Sequence, residues 1–229
     1  MTKPVCAEIG IGPRNGEAIA RKFSDEGYAL ALLSRSTDYS KKLAAELGDA
    51  QAYACDAADP ASIESAFARI TEDLGDVDVL IYNAGSGSWK TVEEVSVEDF
   101  TRGFNINALG ALVASQQVIP AMKAKGAGSI VFVGATASLR GVPFTAGFAP
   151  AKAAQRILAQ SMAKHLAPQG IHVSIMIIDG QRDDPGGQAS QAGTRLDPRD
   201  IAAAAWNLTA QPRSAWSFEI DLRPMGEKW

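Results

Sequence analysis

The sequence predicts an α/β protein, a single doubly wound parallel sheet of about seven strands with helices on both faces. Three observations lead there. Short apolar runs such as Tyr28–Leu33 and Ile171–Ile178 alternate along the chain with longer stretches whose apolar residues recur at helical spacing. A glycine-rich turn, Gly10-Ile11-Gly12-Pro13-Arg14-Asn15-Gly16, joins the first run to the first helical stretch. No linker-like composition interrupts the alternation, so residues 1–229 are expected to form one domain. Strands that return through helices need right-handed crossovers, which make the sheet parallel and cover both its faces.

In order, Val5–Ile9 reads as the first strand and Glu17–Glu26 as a helix with Ala18, Ile19, Ala20 and Phe23 at helical spacing. Tyr28–Leu33 is a second strand, Tyr39–Leu47 a helix, and Gln51–Cys55 a third strand ending at Asp56. Asp59-Pro60 starts the next helix, with an acidic cap and proline at the first position. Val77–Tyr82 is a fourth strand leading into Asn83-Ala84-Gly85. A long helix is expected from Val97 to Lys125, with a seam of Phe104, Ala108, Leu112, Gln116 and Ile119, and a bend at Pro120. Ser129–Val133 is the fifth strand, and Phe148–Leu166 a helix carrying Ile157, Leu158, Met162 and Leu166 on one side. Ile171–Ile178 is the sixth strand. Residues from about 180 to 196, rich in Gly, Gln, Asp and Ser, are expected to form a mobile loop on the substrate side. Asp197-Pro198 caps a last helix through Leu208, and Ser217–Leu222 closes the sheet.

Composition excludes several classes. The chain is 46% hydrophobic and 21% charged with a net charge of -4, which gives no electrostatic ground for a nucleic-acid partner. Cys6 and Cys55 fall in predicted strands and read as small buried hydrophobes rather than a disulfide framework. No apolar run approaches membrane-spanning length, and the first strand leaves no room for a signal peptide; no membrane contact and a cytoplasmic location are expected. His165 and His172 lack metal-ligand spacing, so no metal site is expected.

The glycine turn suits a pyrophosphate. Gly10, Gly12 and Gly16 let the backbone approach closely, and a helix amino terminus offers unpaired N–H groups to an anion. Ser34-Arg35 ends the second strand, where an acidic residue would bond the ribose 2′-hydroxyl of NAD and an arginine would pair with the 2′-phosphate of NADP. NADP(H) is therefore preferred over NAD(H).

With these pieces the chain resembles the short-chain dehydrogenase/reductase family over nearly its whole length. The likeness rests on the glycine turn, Asp56, Asn83-Ala84-Gly85, Asn107, Lys152 and the spacing of the elements. It implies a Rossmann-type fold and a cofactor site of Gly10, Gly12, Arg14, Asn15, Gly16, Ser34, Arg35, Asp56, Ala57, Asn83, Ala84, Gly85, Lys152 and Gly180. Asp56 would bond the adenine amino group, and Asn83, Ala84 and Gly85 would support the central strand beside the cofactor.

The resemblance also implies a catalytic tetrad of Asn, Ser, Tyr and Lys, and here the chain departs. Asn107 and Lys152 match by spacing, but Phe148 stands at the tyrosine position and Ala135, thirteen residues earlier, at the serine position. Further departures are Arg14 for a turn glycine, Tyr82 for the first Asn of the usual Asn-Asn-Ala-Gly, Asp179-Gly180 for Pro-Gly, and Asp184 for a threonine. A general acid contributes about 10²–10⁴ in rate and one oxyanion donor about 10²–10³, so efficient reduction of an ordinary ketone by the usual route is not expected. Thr136 and Ser138 lie in the serine's loop, with helix capping the blander role for both; Tyr82, Asp183 and Asp184 are other candidate substitutes. Three readings follow: an NADP(H)-dependent oxidoreductase with an altered site, an NADP(H)-binding protein without catalysis that serves as a sensor or subunit partner, or a protein in which Arg14 and Asp184 crowd the phosphate and carboxamide positions and cofactor binding is lost. The resemblance implies a homodimer or homotetramer, with small residues on the outward faces of the helices from Val97 and Phe148. Trp206, Trp216 and Trp229 would suit an interface or complete the subunit core.

Overall fold

In a computed structural model, described for residues 3–180 and 195–227, seven strands form one sheet in the order β3-β2-β1-β4-β5-β6-β7, and every neighbouring pair is parallel. The strands are β1 (Val5–Ile9), β2 (Ala29–Ser34), β3 (Ala50–Ala54), β4 (Val77–Tyr82), β5 (Gly128–Val133), β6 (Ile171–Ile178) and β7 (Glu219–Leu222). The helices are α1 (Asn15–Asp25), α2 (Thr37–Leu47), α3 (Pro60–Asp73), α4 (Val97–Phe104), α5 (Gly110–Lys125), α6 (Ala149–Leu166) and α7 (Pro198–Thr209). The sequence order of elements is as expected, with ends shifted by a residue or two. The loop expected over residues 180–196 lies almost wholly outside the described residues.

Alternation along the strands sorts the core into two layers. Val5, Ala7 and Ile9 of β1 face a layer completed by α3, α5 and α6, while Cys6 faces the layer under α1, α2 and α7. Both cysteines are buried and free, and burial raises the Cys55 thiol to about 12, so neither is a nucleophile at neutral pH. Asp59 and Asp197 cap α3 and α7 as expected, accepting from the N–H of Ala61 and Arg199.

The long helix holds two corrections. It runs from Val97 to Lys125 but passes through a π-helical turn at Asn105–Leu109. The buried stripe matches the expected seam only in part: Ala108 is buried and Ile119 packs on the core, but Phe104 and Gln116 are exposed, and Gly103, Asn107, Gly110, Ala111, Ala114, Ser115, Val118 and Met122 face inward. The cause is close approach. A Cβ at Gly110 would overlap the carbonyl oxygen of Ala57 and stand 2.5 Å from the Tyr82 hydroxyl, so only small residues fit against the sheet. On α6, Met162 and Leu166 are buried as expected, but Lys152, Gln155 and Ala159 also face inward and Ile157 is exposed. The small residues lie on the inner face, and Val97, Phe100, Phe104 and Ile157 are exposed apolar side chains of these helices. Trp206 packs edge-on against Phe23 and Tyr28, and Trp216 stacks on His172 with ring centres 4.9 Å apart, so both complete the subunit. Trp229 lies outside the described residues.

Among the described residues no helix is long and apolar enough to cross a membrane, and no group of three His, Cys, Asp or Glu is arranged to hold a metal.

Candidate active site

At the carboxyl ends of β1, β2, β3 and β4 a cavity opens, lined by Gly10, Ser34, Arg35, Asp56, Ala57, Asn83, Ala84 and Gly85 together with apolar neighbours such as Ile11 and Ile106. This is the crevice where strand order reverses between β1 and β4, the position at which doubly wound sheets bind nucleotides. Gly10 has φ +105°, and a Cβ there would stand 2.5 Å from the amide nitrogen of Ala84. Asn83 fastens the two loops by donating from Nδ2 to the carbonyl oxygen of Gly10 at 2.9 Å. Asp56 is held at the β3 end by accepting from the N–H of Ala58 at 2.9 Å. The Ser34 hydroxyl is turned toward Ser36 and Ser40.

Gly12, Arg14, Asn15 and Gly16 flank this cavity without lining it. Helix α1 starts at Asn15, two residues earlier than expected, and the N–H of Glu17 in its first turn donates back to the Gly12 carbonyl at 2.9 Å. Gly16 is packed 2.8 Å (from its ideal Cβ position) against the carbonyl oxygen of Gly10, while the Arg14 side chain is exposed.

Asn107 and Lys152 converge behind Gly85. A Cβ at Gly85 would lie 3.3 Å from both Asn107 Oδ1 and Lys152 Nζ. The ammonium of Lys152 is buried, donating to the Val133 carbonyl at 2.8 Å and to Gln155 Oε1 at 3.0 Å. The π-turn re-aims Asn107, whose Nδ2 donates to the carbonyls of Ser86 and Gly103. Its Oδ1 is buried with no hydrogen-bond partner among the described residues, an acceptor directed at the shared space.

A second cavity, lined by Trp89, Ala135, Thr136, Phe148, Ile178, Asp179 and Gly180, adjoins this pair. Phe148 occupies the residue before α6, with its ring pressed on the backbone of Gly87. Ala135 and Phe148 thus face one space, and neither offers a hydroxyl. Among the candidate substitutes, Ser138 does not line this cavity, and its Oγ accepts from the Ala135 N–H at 3.3 Å. Tyr82 is fully buried, donates to the Ile106 carbonyl and has its phenol pKa raised by burial, which removes it as an acid. Asp183 and Asp184 lie outside the described residues. Thr136 Oγ1 is buried and without a partner among the described residues.

One wall of this cavity, Trp89, and two partners of its Asp179 carried no sequence signal. Trp89 sits 5.6 Å from Phe148 and 6.0 Å from Phe144, ring centre to ring centre, in a segment with no motif. Arg223 reaches Asp179 at 3.0 Å from the far end of the chain, and Arg140 approaches the same carboxylate at 3.8 Å. Asp179 also donates its N–H to the Leu222 carbonyl, so the β7 end is fastened to the cavity wall.

Comparison with known proteins agrees with this geometry. A family model described as short chain dehydrogenase matches residues 7–180. A short-chain dehydrogenase structure from Rhodopseudomonas palustris superposes with a TM-score of 0.85 at 32% identity, covering 96% of this chain and 98% of that one. An alcohol dehydrogenase from Thermococcus sibiricus, complexed with 5-hydroxy-NADP, superposes with a TM-score of 0.88 at 29% identity over 99% and 98% of the two chains. An uncharacterised oxidoreductase of Staphylococcus epidermidis is 25% identical over 228 residues, 98% of this chain and 99% of that one.

Proposed function

This chain belongs to the short-chain dehydrogenase family, and from that premise we propose that it is an NADP(H)-dependent oxidoreductase whose substrate site handles oxygen differently from the usual tetrad. The observation that carries the reading is the cavity between β1 and β4, in which Gly10, Asp56, Asn83 and Gly85 meet Arg35 with no carboxylate at the β2 end. When bound, the cofactor supplies or accepts a hydride. The α1 amino terminus and the glycine turn hold the pyrophosphate, Asp56 accepts from the adenine amino group, and Arg35 with Ser34 meets the 2′-phosphate. Lys152 donates to the nicotinamide ribose, a role that does not need a tyrosine. Asn107 Oδ1 holds a polar group beside it.

Calorimetric titration tests this. NADPH is expected to bind saturably and at least about tenfold more tightly than NADH, the weight of one charge-assisted contact. Equal affinities would remove the NADP(H) preference, and no saturable binding would remove the whole reading.

A second reading, cofactor binding without turnover, is favoured by Phe148 and Ala135 alone. It predicts saturable NADPH binding with no oxidation of the cofactor by any carbonyl compound. We further propose a homo-oligomer in which the exposed Phe100, Phe104 and Ile157 are covered by a second copy; light scattering showing a monomer at working concentration would exclude it.

A further inference from the structure

We propose that the cavity beside Lys152 takes a planar α,β-unsaturated carbonyl compound, its oxygen bonded by the Thr136 hydroxyl and its flat face laid against Trp89 and Phe148. This rests on the cofactor reading above.

Three observations meet in the one cavity. The first is an unpartnered donor: Thr136 Oγ1 is buried and bonds to nothing among the described residues, next in the chain to Ala135. A buried hydroxyl without a partner costs about 1–3 kcal/mol, a cost that a bound acceptor removes. Ser138, a neighbouring hydroxyl, does not line this cavity; its Oγ accepts from the Ala135 N–H. The second is the aromatic wall. Trp89 and Phe148 lie at 37° with centres 5.6 Å apart, and Trp89 is 64% exposed, a broad apolar face open to a flat ligand. The cavity measures about 290 Å³, at the small end of ligand sites, which run to about 1,000 Å³.

The third is the missing proton donor. Reduction of an ordinary ketone leaves an alkoxide about as basic as hydroxide, whose conjugate acid, water, has a pKa of about 15.7. Such a product needs an acid at the moment of transfer, and Phe148 has none. A conjugated carbonyl avoids the demand. Its β-carbon gains a C–H bond from the hydride, the C=C electron pair shifts toward oxygen, and the charge spreads over oxygen and the α-carbon. The enolate oxygen accepts the Thr136 hydrogen bond, and the α-carbon later takes a proton from water. The alkene is reduced by two electrons, NADPH is oxidised to NADP⁺, and one solvent proton completes the balance.

The test uses the full chain with 4-phenylbut-3-en-2-one and its saturated counterpart 4-phenylbutan-2-one. The enone is expected to quench tryptophan fluorescence saturably in the absence of cofactor, an effect lost in Trp89→Phe. Thr136→Val should weaken enone binding about tenfold, and Thr136→Ser should restore it. With NADPH, the enone should be consumed at least about 100-fold faster than the saturated ketone, with kcat falling on the order of 100-fold in Thr136→Val. Saturable NADPH binding without enone binding would overturn this inference while leaving the cofactor reading intact. Equal consumption of the two ketones, or a Thr136→Val protein indistinguishable from the parent, would overturn it as well. Loss of NADPH binding itself would end both.

Discussion

Asn107 and Lys152, forty-five residues apart in sequence, face each other across the backbone of Gly85, each 3.3 Å from the place a Cβ would take. The pairing needs a glycine at Gly85, a π-turn to aim Asn107, and small residues that let α5 and α6 press close to the sheet.

Lys152 therefore has a structural role beside the cofactor role proposed for it. Lys152→Met leaves the Val133 carbonyl and Gln155 Oε1 without their donor, at an expected cost of about 1–3 kcal/mol in urea unfolding. The same variant should bind NADPH about tenfold more weakly. An unchanged affinity would remove Lys152 from the cofactor site.

Arg35 separates the two cofactors. Because it lines the cavity at the β2 end, Arg35→Ala should weaken NADPH binding by about 10–100-fold and leave NADH binding alone. A parallel loss for both nucleotides would mean that Arg35 contacts something they share.

Glu8 sits on the central strand, 2% exposed, with both carboxylate oxygens unpartnered among the described residues. Burial pushes its pKa well above the usual carboxylate range, so it is neutral in the folded protein at pH values where the unfolded chain ionises it. A raised folded pKa of an acid lowers stability as pH rises, beginning near the unfolded value of about 4.3 and continuing up to the folded pKa. Glu8→Gln should lack this loss. Its stability advantage should grow by up to about 1.4 kcal/mol per pH unit through the mildly acidic range. Parallel stability curves for the two proteins would show that Glu8 is ionised after all.

Gly110 marks the closest contact between α5 and the sheet loops. Gly110→Ala drives a methyl group into the Ala57 carbonyl and the Tyr82 hydroxyl, and should cost about 1–3 kcal/mol. Gly141→Ala, whose nearest contact would be 3.9 Å, serves as the control and should leave the urea midpoint nearly unmoved. Similar midpoints for both variants would contradict the close approach.

The sequence by itself determined the strand and helix order, the caps at Asp59 and Asp197, and the burial of both cysteines. These follow from local periodicity, cap chemistry and apolar character, which act over one turn or one strand. It also exposed the absence of hydroxyls at Ala135 and Phe148, because register within one loop and helix is fixed by covalent spacing. Tertiary structure alone decided which faces of α5 and α6 are buried. Apolar periodicity selected Phe104, Gln116 and Ile157, but backbone proximity selected glycine and alanine instead. It alone decided which hydroxyl of the loop belongs to a residue lining the cavity, Thr136, and which does not, Ser138. And it alone brought Trp89 to the side of Phe148 and Arg223 to Asp179, since contacts between distant segments leave no mark on either segment's own pattern.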